Sequence, residues 1–157
     1  MSSGVAVFQG PKVVGEVVFS ATPKGVRVVA TFQKLPPGEH GFHIHKAGDL
    51  RGEGCKGACA HYTLGETEHG GPPGSGGKRH TGDLGNVSCD RGTFHGSYFL
   101  LGVNVEDLWG RSVIVHEDAD DLGRGGFEDS KTTGHSGKRM ACAIIGRVVG
   151  SSMTKGC

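Results

Sequence analysis

Two histidines stand two apart in Gly41-Phe-His-Ile-His45. On an extended strand alternate residues share a face, with Cα atoms about 7 Å apart. His43 and His45 can therefore aim their rings at one ion, while His40, of opposite parity, is set for packing or a hydrogen bond. His61, His69 and His80 follow, with Asp83 three residues beyond His80. Imidazoles joined by one carboxylate suit zinc or another divalent transition metal, whereas calcium or magnesium requires a cage of oxygens. His116 ends the apolar run Val113-Ile-Val115, where a strand gives way to a loop. Arg139 precedes Cys142 by three residues, and a guanidinium that never loses its charge can orient an anion. Singly, each has a plainer reading. A His-x-His pair often only packs, loop histidines are often solvated, and an arginine most often forms a surface ion pair.

The frame that must hold these residues reads as strands. Strand-like stretches run over Val5–Phe8, Val13–Ser20, Val26–Leu35, Glu39–Lys46, Asn86–Cys89, Thr93–Leu101, Ser112–His116 and Ala141–Val149. Gly10-Pro11, Pro23-Lys24-Gly25, Pro36-Pro37-Gly38, Asp90-Arg91-Gly92 and Trp109-Gly110 break them. Short strands with such breaks, and no sustained apolar stripe at helical spacing, predict an all-β sandwich or barrel. Two connections, about 47–80 and about 117–138, exceed the roughly 12–15 residues of ordinary loops. Histidines border and occupy them, which favours function over disorder.

Composition agrees. The chain has 157 residues, enough for one domain over 1–157 with a real core. Thirty glycines show no three-residue period, so collagen is excluded. A net charge of +1, from seventeen bases and sixteen acids, gives no support for a nucleic-acid partner. No apolar run reaches the ~18 residues of a membrane span. The start Met1-Ser-Ser-Gly-Val lacks the layout of a secretion signal, so a cytoplasmic location is expected. Five cysteines are an odd number, and reduced thiols are the ordinary state of a cytosolic chain.

Taken in order, Gly41-Phe-His-Ile-His45, His80-Thr-Gly-Asp-Leu-Gly-Asn86, Val115-His-Glu-Asp-Ala-Asp-Asp-Leu-Gly123 and Gly137-Lys-Arg-Met-Ala-Cys142 closely resemble the copper/zinc superoxide dismutase family. The resemblance runs from about Val5 to Val149. It implies an eight-stranded Greek-key β-barrel or sandwich of immunoglobulin-like type, with two long functional loops. It implies copper held by His43, His45, His61 and His116, and zinc held by His61, His69, His80 and Asp83. His61 is then shared and acts in catalysis, with Arg139 as the anion-guiding residue. Asp120 links His43 to His69. Cys55 and Cys142 pair as the one disulfide, which leaves Cys59, Cys89 and Cys157 as thiols. The implied reaction is disproportionation of superoxide to dioxygen and hydrogen peroxide by Cu(II)/Cu(I) cycling, with zinc holding the bridging histidine.

The chain also departs from the pattern. Tyr62-Thr-Leu64 follows His61 where an aromatic and then Asn-Pro is usual, and the Gly-rich His69–His80 interval is longer by about two residues. Thr132 stands where a steering lysine is common, with Lys131 one place earlier, and Phe127 takes a usually polar place. Lys131 and Lys138 are expected to add to an attractive field. Two rivals are a copper-delivery protein built on the same domain, and a metal-binding sandwich without turnover. The full ligand set stands against both, and a copper-delivery protein is expected instead as a partner. The family's two-fold homodimer is expected through Leu50–Gly54, Leu108-Trp-Gly110 and Ile144–Val149. Trp109, in a turn, would need a partner surface to cover it, and Arg147 would weaken the contact.

Overall fold

The computed structural model describes residues 1–150. Nine strands form two antiparallel sheets: β1 Ser3–Gln9, β2 Val14–Thr22, β3 Gly25–Lys34, β4 His40–His45, β5 Asp83–Val87, β6 Phe94–Leu101, β7 Ser112–His116, β8 Arg139–Ile144 and β9 Gly146–Arg147. The strand order is β6-β3-β2-β1-β9 in one sheet and β5-β4-β7-β8 in the other. Two single-turn helices, α1 Val105–Leu108 and α2 Ser130–Thr133, lie in connections.

Alternation builds the core. In β3, Val26, Val28, Ala30 and Phe32 are fully buried while Arg27, Val29 and Gln33 face out. Across the sandwich Phe42, Ile44, Val113 and Val115 join the same cluster. Phe32 meets Phe42 edge to face, with centroids 5.6 Å apart. All six residues of β4 and all five of β7 are buried. One face of these strands packs on the core. The other, carrying His43, His45, Ile114 and His116, lies beneath the two long loops. Ile44 N–H donates to Gly82 O and Ile44 O accepts from Tyr62 N–H, both at 2.8 Å, which laces the first loop to β4.

Three local readings change. The expected last strand divides: β8 pairs with β7, β9 pairs with β1, and buried Ile145 passes from one sheet to the other. Hydrogen bonds to Arg111 O and from Gly110 N–H, both 2.9 Å, fix the Ile145 peptide there. The strand expected over Asn86–Cys89 runs over Asp83–Val87, which places Asp83 opposite His43 in register. Trp109 needs no partner for cover. Its ring is half-buried, its Nε1–H donates to Ser3 O at 3.0 Å, and the Arg147 guanidinium stands 5.4 Å from its centroid. Cys157 lies outside the described residues.

Candidate metal centre

Four rings converge beneath the loops. His43 and His45 come from β4, His116 from the end of β7, and His61 from the first loop, where it bridges to His45. In each ring the outer nitrogen is occupied. His43 Nε2 meets Asp120 Oδ2 at 2.5 Å, His45 Nδ1 donates to Cys59 O at 2.8 Å, and His116 Nδ1 donates to Gly137 O at 3.1 Å. His61 Nδ1 lies 2.9 Å from Asp83 Oδ1. A carbonyl only accepts, so these partners fix the tautomers of His45 and His116 and leave a bare lone pair on the inner nitrogen. Those inner atoms, His43 Nδ1, His45 Nε2, His61 Nε2 and His116 Nε2, are buried without any hydrogen-bond partner. All lie within 4.8 Å of one another. Four orphaned nitrogens facing one point are costly unless an ion completes them.

Protonation is suppressed as well. Burial first, and then the neighbouring imidazoles, push His43 and His45 well below the ordinary histidine range. Burial holds His61 down too and brings His116 down to about 4. The rings are therefore neutral and ready to ligate near pH 7.

A second cluster begins at the other nitrogen of His61. His69 Nδ1 lies 2.9 Å and His80 Nδ1 3.4 Å from Asp83 Oδ1, and His80 Nδ1 is 3.2 Å from His61 Nδ1. A tetrahedral zinc with ligands at about 2.0 Å sets its donors roughly 3.3 Å apart, so these edges fit it. His69 Nδ1 also finds no aligned hydrogen bond despite its closeness to Asp83, as expected of donors turned toward a shared ion. Burial pushes the Asp83 carboxyl up, but contacts from His61, His69 and His80 outweigh it and hold it well below the usual range. The remaining oxygen, Oδ2, accepts the N–H groups of His80 at 2.7 Å and Gly70 at 3.0 Å.

Asp120 joins the two clusters. Its Oδ1 meets His69 Nε2 at 2.7 Å while Oδ2 holds His43. Burial works against a charge on His69, yet the bond to Asp120 and the nearby Asp83 carboxylate raise it to about 9. Gly134, at φ +75°, passes so close that a Cβ there would collide with the Asp120 carboxylate and the His69 ring. Two supports carry no role in the sequence reading. Asn86 clamps the Asp120 backbone, accepting its N–H at 2.7 Å and donating to its carbonyl at 2.9 Å. Arg79 donates to Asp83 O at 2.7 Å and Gly71 O at 3.1 Å, pinning the Gly-rich stretch. Asn86 stood inside a quoted motif, whereas nothing near Arg79 marked it. His40 takes the hydrogen-bonding place its parity predicts, with Nδ1 2.9 Å from His116 O and Nε2 2.9 Å from Pro36 O.

A cavity of about 520 Å³ opens onto His45, His61 and His116, with Arg139, Lys138, Thr132 and Asp129 on its walls. Among the described residues Arg139 has no carboxylate partner. Its Nη1 donates to Cys55 O at 2.7 Å and its Nη2 to Cys59 O at 2.5 Å. Cys55 is bonded to Cys142 on β8, so the loop that holds Arg139 is tied to Arg139's own strand. Lys138 lines the cavity as expected. Lys131 does not: it turns 3.8 Å from Glu68, beside a neighbouring hollow.

Residues 13–145 match the family model described as copper/zinc superoxide dismutase. The chain is 43% identical over 150 residues to the Cu-Zn superoxide dismutase of Paramecium bursaria Chlorella virus 1, covering 92% of this chain and 78% of that protein. It is also 43% identical over 155 residues to the human copper chaperone for superoxide dismutase, covering 96% of this chain. It spans 55% of that chaperone's length. A solved structure described as the clock protein EA4 aligns with a TM-score of 0.80 and 36% identity, over 92% of this chain and 93% of that one. Two antiparallel sheets, two histidine clusters sharing His61, and a family match over most of the chain lead to one conclusion: this chain belongs to the copper/zinc superoxide dismutase family.

Proposed function

We propose that this chain is a superoxide dismutase, with copper on His43, His45, His61 and His116 and zinc on His61, His69, His80 and Asp83. The observation that supports this most is the set of four buried, partnerless ring nitrogens opening onto a cavity that carries Arg139. When bound, copper would supply the one-electron chemistry that turns one superoxide into dioxygen and another into peroxide, and zinc, which has no redox chemistry, would fix His61. The residues do the rest. Arg139 and Lys138 draw a monovalent anion into the cavity and Arg139 orients it. His61 Nε2 faces the cavity and is placed to hold a proton and pass it to the departing peroxide. Over one cycle two superoxide anions and two protons become dioxygen and hydrogen peroxide.

The similarity to copper chaperones supports a second reading, copper delivery without turnover. The complete ligand set weighs against it. Elemental analysis of the purified protein, paired with a superoxide-consumption assay, separates the two. Copper and zinc near one each with fast consumption support the dismutase. Bound copper without consumption, but with transfer to a metal-free dismutase, would support delivery. We also propose a two-fold homodimer. Val7, Ile144, Val148 and Val149 are exposed apolar residues on and beside β1, β8 and β9.

A further inference from the structure

At the lip of the anion cavity lies a hollow lined by Phe127, Glu128, Asp129, Thr132 and His135, none of them a candidate ligand. The Phe127 and His135 rings stack with centroids 3.7 Å apart and planes 6° apart. His135 Nδ1 stands 2.7 Å from Asp129 Oδ1, and Thr133 Oγ1 lies 3.4 Å from Asp129 Oδ2. His135 holds this pose at φ +53°, a left-handed conformation that few non-glycine residues adopt. Asp129 also lines the cavity itself, where it is the one acidic wall residue against Lys138 and Arg139. A carboxylate there repels the anion that Arg139 attracts.

We propose that His135 is a charge-masking positioning residue: it binds Asp129 and, when protonated, cancels the single negative charge on the cavity wall, so that small monovalent anions enter more readily. The inference rests on the reading of this cavity as an anion site. Histidine is the side chain whose charge ordinarily changes between pH 5 and 8. Stacking on Phe127 holds the ring in the pose that meets Asp129. Phe127 thereby acquires a purpose in what is usually a polar place. The Asp129 carboxyl is held below its usual range, chiefly by its bond to His135. The charged groups that line the hollow with His135 are Asp129 and Glu128, and α2 contributes only the uncharged Thr132. Lys131 is turned to Glu68, and Lys138 and Arg139 belong to the cavity.

The test is optical titration with azide, a small monovalent anion, on the copper- and zinc-loaded protein at about pH 5.5 and about pH 8. His135→Gln keeps a donor for Asp129 but cannot gain charge, and Asp129→Asn removes the charge to be masked. Azide affinity of the wild type should rise on acidification by about two- to threefold more than that of His135→Gln, the size expected for one charge near a solvated site. Asp129→Asn should bind azide more tightly than the wild type at the higher pH and should share the flatter profile. A His135→Gln protein that keeps the wild-type profile would overturn the proposal. So would Asp129→Asn with unchanged azide affinity. A wild type that shows the azide profile but consumes no superoxide would sink the dismutase reading and leave this one standing.

Discussion

His61 is the residue on which both clusters depend, because its Nε2 faces one and its Nδ1 the other. His116 serves one cluster alone, which makes it the cleaner probe. Replacing His116 by alanine should remove copper and bring superoxide consumption to background while zinc content stays near wild type. Retained turnover would refute the copper assignment. The same rings set a pH dependence in the metal-free chain. His116, held at about 4 by burial, lies below its unfolded value near 6.5. As pH falls through that interval the unfolded chain takes up a proton that the folded chain resists, so stability falls with pH. His43, His45 and His61 act in the same direction. The thermal midpoint of metal-free protein should be lower at about pH 4.5 than at about pH 7, and metal should narrow the difference.

At the scale of elements, the first loop is held by the bond between Cys55 and Cys142, 87 residues apart. In the loop-entropy model that closure is worth about 4–5 kcal/mol. Cys142→Ser should lower unfolding free energy by several kcal/mol, and peptide mapping of the oxidised wild type should recover the Cys55–Cys142 pair. Because Cys55 O and Cys59 O fix the Arg139 guanidinium, the same variant should also slow anion entry. Arg139→Glu should slow superoxide consumption at least tenfold through repulsion in a narrow approach. Added salt should slow the wild type as screening shortens the field. A wild-type rate indifferent to salt would show that the substrate is not steered. Lys138 remains in that field, but Lys131 spends its charge on Glu68.

On the scale of the whole molecule, much was readable because strands have period two. Parity alone separated His43 and His45 from His40, and in the structure the alternate residues Phe42 and Ile44 fill the core. What escaped depends on contacts distant in sequence. Nothing around Ile145 marks a change of sheet, since that follows from β1 and β7 each lying in reach. Trp109 read as exposed because its cover, Arg147, comes 38 residues later. The start of β5 escaped because Gly82 and Gly85 interrupt the apolar alternation that marks a strand, although Asp83 pairs opposite His43. The proposed dimer rests on the same surface. Arg147 is committed to Trp109 in its own chain and leaves Ile144, Val148 and Val149 exposed beside it. A charge so close to a two-fold contact predicts a dimer weaker than an all-apolar strip would give. Sedimentation velocity over a dilution series should show dimer giving way to monomer. Monomer at every concentration would end the claim.

The late position of β8 and β9 also governs the order in which a ribosome delivers the parts. Every candidate ligand, from His43 to His116, is synthesised before Arg139, Cys142 and Ile145. Chains emerge at about 5–20 residues per second, so for roughly one to several seconds a nascent chain displays all its candidate ligands with no last strands to close the barrel over them. Burial, the disulfide and the anchored guanidinium can be added only afterwards. The birth order of the polypeptide thus leaves an open interval in which metal can reach rings that the finished molecule encloses.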